Sequence, residues 1–194
     1  MKKLFVAAMS AIFCLSISTA NAIEAPNHEG DINVNIHAGF QPGMGVSASA
    51  DYVLINSWWK GHFTIGGYAS INSYTTDNYR NEYINNVYVE TDRSHLATLV
   101  AVRATYGLNI TKEFEVHAGF YTGPCFHTWK DEASGNGYKL EGERESEVKF
   151  IPAGAIAGCR YYFTSNFAVS AELNFSDYGD CSASYINVGV SLKL

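Results

Sequence analysis

Tyr185-Ile-Asn-Val-Gly-Val-Ser-Leu-Lys-Leu194 alternates apolar and polar side chains up to its last residue. Successive side chains of a strand point to opposite faces. Ile186, Val188, Val190, Leu192 and Leu194 therefore share one face, and Tyr185, Asn187, Gly189, Ser191 and Lys193 share the other. A soluble domain seldom ends with its final side chain on a buried apolar face. The closing strand of a transmembrane β-barrel does so readily, because it pairs with the first strand and turns one face to lipid.

The other end of the chain fits export. Met1-Lys-Lys3 is a basic leader, Leu4 to Ile17 an apolar core, and Ala20-Asn-Ala22 an A-x-A cleavage site. Residues 1–22 are expected to be a secretory signal peptide, too short in its apolar part for a membrane helix. Cys14 lies inside the apolar core after bulky Phe13, which speaks against a lipoprotein anchor. Residues 23–31 are expected to be an N-terminal periplasmic segment, and residues 32–194 the barrel domain.

Acidic residues number 19 against 13 basic ones, and Lys2 and Lys3 leave with the leader. That balance argues against nucleic acid and against anionic surfaces as electrostatic partners. Three cysteines remain after processing: Cys125, Cys159 and Cys181. Alternation turns Cys159 outward and the other two inward near one rim. A Cys125–Cys181 bridge is conceivable in an oxidising compartment, but their strands stand far apart around a barrel and disulfide geometry is strict, which weighs against it.

Period-two patterns between turn signals give eight strands. They are expected near 32–40, 45–54, 62–72, 94–106, 113–126, 148–163, 167–177 and 185–194. The connections after the second, fourth and sixth are short, whereas those after the third and fifth are long and polar, the former rich in tyrosine and the latter in charge. Outer-membrane barrels put short turns in the periplasm and long loops outside. The expected fold is therefore all-β: an eight-stranded antiparallel up-and-down transmembrane barrel with periplasmic termini. Val87-Tyr-Val-Glu-Thr91 and Tyr138-Lys-Leu-Glu-Gly142 keep some alternation, so the third to sixth strands should extend beyond the membrane as hairpins.

The apolar face carries almost no charge. The opposite face holds Asp51, Arg103, Glu115, His117, Arg160, Glu172 and Lys193. Arg103 and Glu115 flank one turn, and Arg160 and Glu172 flank another at the same separation. An eight-stranded barrel is barely wide enough for its own side chains, and charges inside it must pair. Asp51, Arg103, Glu115, Arg160, Glu172 and Lys193 are thus expected to form a salt-bridge network that plugs the lumen. A small-solute or proton path is the competing use. Trp58, Trp59, Tyr106, Phe114, Tyr161 and Phe163 fall near the expected periplasmic ends and fit an interfacial aromatic girdle.

No Ser–His–acid grouping, G-x-S-x-G or H-E-x-x-H marks a catalytic site. His37, His62, His95 and His117 lie on the polar face, where lumen hydrogen bonding accounts for them. No catalytic residue, metal site or cofactor is expected. Tyr74, Tyr79, Tyr83, Tyr88, Trp129 and Tyr138 lie in the long outer segments and are candidate contact residues, since Tyr and Trp offer area at low entropic cost.

Gly158-Cys-Arg-Tyr-Tyr-Phe-Thr-Ser-Asn-Phe-Ala-Val-Ser-Ala-Glu-Leu173, together with the closing strand, resembles the "outer membrane protein beta-barrel domain" family, related in fold to the outer-membrane protein A transmembrane domain. The likeness lies in a G-x-R-Y-Y-F-T-x-N-F turn, an A-E-L strand and the terminal alternation. Leu194 replaces the usual terminal Phe, and no peptidoglycan-binding domain follows. The resemblance implies fold and a location in the Gram-negative outer membrane, while activity is not fixed by fold.

The expected function is a non-enzymatic outer-membrane barrel with an envelope-structural or surface-interaction role through its outer loops. A lipid-modifying outer-membrane enzyme and a periplasmic soluble ligand-binding barrel are the alternatives. Expected partners are outer-membrane lipids, the barrel-insertion machinery, and an extracellular ligand or host surface of unassigned identity. A monomer is expected.

Overall fold

The computed structural model describes residues 27–41, 43–58, 61–84, 87–135, 138–176 and 185–194. The expected signal peptide, Trp59 and Cys181 lie outside them. Eight strands follow one another: β1 (Ile32–Phe40), β2 (Met44–Trp58), β3 (Gly61–Ile84), β4 (Val87–Asn109), β5 (Phe114–Gly135), β6 (Tyr138–Tyr162), β7 (Phe167–Ser176) and β8 (Ile186–Lys193). Each pairs antiparallel with its sequence neighbour, and β8 returns to β1 to close the barrel. Closure removes the sheet edges that an open eight-stranded sheet would expose.

The closing seam explains the terminal alternation. Val34, Ile36 and Ala38 of β1 stand opposite Leu192, Val190 and Val188 of β8. Asn35 and His37 face Ser191 and Gly189 on the other surface. Asn35, His37 and Ser191 are buried, whereas Ile36, Ala38, Val188, Val190 and Leu192 are exposed; Val188 is 50% exposed. Greasy side chains point out of this cylinder and polar ones point in.

The outward face is a belt without charge. On β4 its positions are Leu96, Thr98, Val100, Val102, Ala104 and Tyr106. At a strand rise of roughly 3.4 Å per residue and a tilt near 40°, that run spans about 25 Å along the barrel axis, the height of a hydrocarbon-matched band. The corresponding outward positions of β1, β2, β7 and β8 carry no Asp, Glu, Lys or Arg.

β3 to β6 run far past the belt. Their extensions pair from Thr75↔Ser94 to Ile84↔Val87 and from His127↔Glu147 to Gly135↔Tyr138. They form a four-stranded wall at the end opposite the chain termini, called here the hairpin end. The two long polar segments thus continue their strands, as the residual alternation foretold. The β5–β6 pairing carries two irregularities: one in the hairpin extension between Lys130 and Glu132, and one nearer the belt, where Tyr121 pairs with Gly154 but Gly123 pairs with Ile151. The extra residue reverses the in–out parity of β6 across Pro152-Ala153, a position suited to a residue that lacks an N–H.

Candidate functional site

The lumen is filled in three layers. The layer nearest the chain termini is ionic. Arg103 on β4 donates from Nε to Asp51 Oδ1 of β2 at 2.6 Å, and its Nη2 completes a bidentate pair with Asp51 Oδ2. Its Nη1 reaches across the lumen to Glu172 Oε2 of β7 at 3.1 Å. Arg160 on β6 donates to Glu115 Oε1 of β5 at 2.7 Å and stands 3.8 Å from Asp51 Oδ2. His117 bridges the acids, 3.2 Å from Glu172 Oε1 and 3.5 Å from Glu115 Oε1. All six side chains are buried.

Polar neighbours satisfy part of what remains, while Arg160 Nε and Nη2 have no hydrogen-bond partner. Asn35 Nδ2 donates to Asp51 Oδ2 at 2.9 Å, and Tyr162 donates its hydroxyl proton to Glu115 Oε2 at 2.9 Å. Glycines make room: a Cβ on Gly107 would lie 2.4 Å from the His62 ring. Buried charges survive only when they have partners and further hydrogen bonds; every ion here has an opposite charge beside it, and Asp51, Glu115, Glu172 and Arg103 also have further hydrogen bonds.

The register rewrites two expectations. β4 and β5 pair Arg103 with Tyr121 and Glu115 with Asn109, so the arginine and glutamate that flank the turn stand far apart. Arg103 therefore takes Asp51 and Glu172, while Arg160 takes Glu115, which lies directly opposite it. Lys193 is not in this cluster. It sits at the rim, 3.6 Å from Asp31 Oδ2, because it belongs to the last residues of β8 and pairs across from Asn33.

A residue expected to lie outside the barrel enters it. Asn27 is fully buried, and its Nδ2 donates to Glu115 Oε2 at 2.8 Å with the Tyr162 hydroxyl 3.2 Å away. The chain reaches it through a tight turn. Asp31 Oδ2 accepts from the His28 N–H at 2.7 Å, and Gly30 takes a φ of +95°, natural for glycine. Gly30 N–H also donates to the Val53 carbonyl, tying the segment to β2.

The middle layer is apolar. Tyr68, Leu99, Tyr121, Cys125, Ile151 and Ile156 cluster inside the barrel. Gly154 lies beneath the Tyr121 ring, where a Cβ would come within 2.1 Å of it. Cys125 is disulfide-bonded, against the expectation, and Cys159 is free. The partner of Cys125 lies outside the described residues.

The third layer is a ladder of rings at the hairpin end. Tyr74 stacks on His95 at 4.4 Å between centroids, His95 on His127 at 5.2 Å, and His127 meets Trp129 at 5.1 Å. Above it, Arg93 makes a two-point pair with Asp131 at 2.6 and 2.8 Å and lies 3.8 Å over the Tyr79 ring. That bond holds the Asp131 carboxyl below its usual value, and the Arg93 guanidinium above its own. Of the candidate contact residues, Tyr79, Tyr83 and Tyr88 are exposed, and Tyr83 packs on Tyr88. Tyr74 and Trp129 are instead partly covered within the ladder. The Tyr138 side chain lies outside the described residues.

At the opposite rim, Tyr161 and Phe163 are exposed and meet edge to face at 5.2 Å, with Phe167 beyond. Phe114 and Tyr106 are half-covered on the same outward face. The Trp58 side chain lies outside the described residues.

A serine–histidine contact is present: Ser170 Oγ lies 2.8 Å from His37 Nε2. Both groups are buried in the lumen beside the ionic layer, so no substrate carbonyl can approach them. Among the described residues no cluster of His, Cys, Asp or Glu has metal-binding geometry.

Among solved structures, the chain is similar to Ail, the attachment invasion locus protein of Yersinia pestis, in complex with the heparin analogue sucrose octasulfate. Identity is 14% and the TM-score 0.46, covering 86% of this chain and 96% of that one. It is also similar to Ail in a phospholipid bilayer nanodisc, at 13% identity and a TM-score of 0.45, over 86% and 100% of the two chains. The N-terminal β-barrel domain of Pseudomonas aeruginosa OprF gives 15% and 0.43, over 87% and 100%. No family model and no curated protein matches the sequence.

Proposed function

We propose that the protein is a non-conducting barrel of the Gram-negative outer membrane that anchors an external wall of hairpins for surface contact or envelope structure. The termini lie on the periplasmic side, and lipid covers the belt. The observation that carries this is the inversion of polarity: a charge-free apolar belt outside, and a paired ionic layer within. A soluble ligand-binding barrel has the opposite arrangement. The apolar layer of Leu99, Tyr121, Ile151 and Ile156 stacked on the ionic layer favours a plug over a path for ions.

No chemistry is assigned, because the buried Ser170–His37 pair has no access and the apolar belt carries no acid or base among the described residues. The exposed Tyr79, Tyr83 and Tyr88 are the contact residues, carried on a wall that the Arg93–Asp131 pair stiffens.

The test is membrane fractionation followed by gel electrophoresis of boiled and unboiled samples, with conductance measured in planar bilayers. The expected result is detergent-dependent extraction, a heat-dependent mobility shift and no steady conductance. Extraction by salt alone would refute the membrane assignment. Stable ohmic steps would refute the plug.

A further inference from the structure

The ring ladder at the hairpin end is also a hydrogen-bonded chain, and it crosses four strands. Thr76 Oγ1 on β3 lies 3.3 Å from His95 Nε2 on β4. His95 Nδ1 lies 2.9 Å from His127 Nε2 on β5. His127 Nδ1 lies 3.3 Å from Glu147 Oε1 on β6, and Lys149 Nζ approaches that same oxygen at 2.5 Å. Both imidazoles are buried, and their planes lie within 6° of each other.

Proton positions follow from what each partner can do. A carboxylate only accepts, so His127 Nδ1 carries the proton it gives to Glu147. In the neutral ring its Nε2 is then a bare acceptor, and His95 Nδ1 must donate to it. His95 Nε2 is left to accept from the Thr76 hydroxyl. One tautomer of each ring satisfies the whole chain.

One added proton is tolerated. It enters at His95 Nε2, Thr76 turns its hydroxyl, and the contact between the rings survives. A second proton is not. It would place N–H on His127 Nε2 directly against N–H on His95 Nδ1, two donors and two positive charges at hydrogen-bond distance.

We infer that His95 and His127 form a two-proton latch that holds β3 to β6 of the hairpin wall together at neutral pH and releases them in acid. The inference rests on the proposed function only for calling this end external. The groups around the latch are Tyr74, Thr76 and Arg80 from β3, Arg93 from β4, Trp129 and Asp131 from β5, and Glu145, Glu147 and Lys149 from β6. The acids favour the first proton. Arg93 and Lys149 oppose the second, and so does the first proton itself, so the two uptakes separate into macroscopic steps of a coupled pair. The wall that releases carries Tyr79, Tyr83 and Tyr88, so the contact surface is rigid near neutrality and loosened in acid.

The test uses the full-length mature barrel refolded in detergent micelles. Amide hydrogen exchange is followed by mass spectrometry from about pH 7.5 down to about pH 4.5, so that the opposed second uptake below ordinary histidine titration is also reached, and corrected for the intrinsic pH dependence of exchange. Protection of 91–95, 127–131 and 145–149 is expected to fall roughly tenfold in acid, the equivalent of one net hydrogen bond. The wall at 100–104 should not change. His127→Gln cannot be charged, and its amide fills the same two contacts, so it should abolish the acid step. In wild type, ring-proton NMR should show His95 and His127 titrating in two separated steps.

Exchange indifferent to pH would overturn the latch. So would an acid step that persists in His127→Gln, or a single shared titration step. If His127→Gln fails to fold, the wild-type titration alone decides. These readouts need only a folded barrel. A failed mobility shift would therefore sink the membrane reading and leave the latch to be judged separately.

Discussion

Arg103→Met removes the guanidinium from the centre of the lumen. Methionine keeps much of the apolar bulk but leaves Asp51 and Glu172 without the cation they share. Removing one partner of a buried ion pair costs about 3–5 kcal/mol. Here the loss falls toward the lower figure, because each acid keeps a fallback. Asp51 retains Asn35 at 2.9 Å and Arg160 at 3.8 Å, and Glu172 retains His117 at 3.2 Å. About 3 kcal/mol is still a large part of a typical net stability of about 5–15 kcal/mol. Urea unfolding in detergent micelles, read by loss of the unboiled gel band and by tryptophan fluorescence, measures it. A triple variant that adds Asp51→Asn and Glu172→Gln removes the stranded charges and should recover most of the loss. A change below about 1 kcal/mol in Arg103→Met, the size of an exposed pair, would refute the reasoning. The lumen would then be wet enough to screen its charges.

Asn27→Ala should cost about 1–3 kcal/mol by the same assay, since Glu115 and Tyr162 lose a buried donor contact. Gly154→Ala drives a Cβ into the Tyr121 ring and should cost about 1–3 kcal/mol as overpacking, with much of that returned in a Tyr121→Leu background. Val102→Arg puts a charge near the middle of the lipid belt and should cost about 2–4 kcal/mol, read as a lowered yield of the fast-migrating folded band. The Asp131 carboxyl is held low by Arg93, so its contribution is present above the unfolded value and is lost as pH falls through the lower folded one. Hairpin protection from this pair should therefore fade only below about pH 4. The side chains are partly exposed, so the effect is below about 1 kcal/mol, and Arg93→Gln should remove that acid-dependent part.

Alternation made the eight strands and the seam of the barrel legible, because a period of two is forced on any strand with one wet and one greasy face. The same rule put Asp51, Arg103, Glu115, Arg160 and Glu172 on the inner surface. Who pairs with whom was not legible. Turn symmetry suggests Arg103 beside Glu115, but pairing depends on register, and the β4–β5 register sets Arg103 opposite Tyr121. Lys193 shares the inner face yet lies too near the strand end to reach the cluster.

The apolar middle layer was half visible. Ala97, Leu99 and Ala101 sit on the same face as Arg103, but a face judged polar by its charges hides its apolar members. Ile151 and Ile156 were obscured by the irregularity at Pro152-Ala153, which breaks simple parity on β6. Asn27 gave no periodic signal at all. Only Gly30 and the Asp31 side chain, three and four residues on, hint at a turn that could carry it inward. The His95–His127 contact is diagonal between neighbouring strands and could be found only once register was known.

Site-directed spin labelling measures most directly whether the apolar surface faces lipid and the ionic one is sealed. Nitroxides at Val102, Ala48 and Val190 on the outward face should collide readily with oxygen and rarely with a water-soluble nickel chelate in lipid vesicles. Preferential collision with nickel at these three positions would contradict the account.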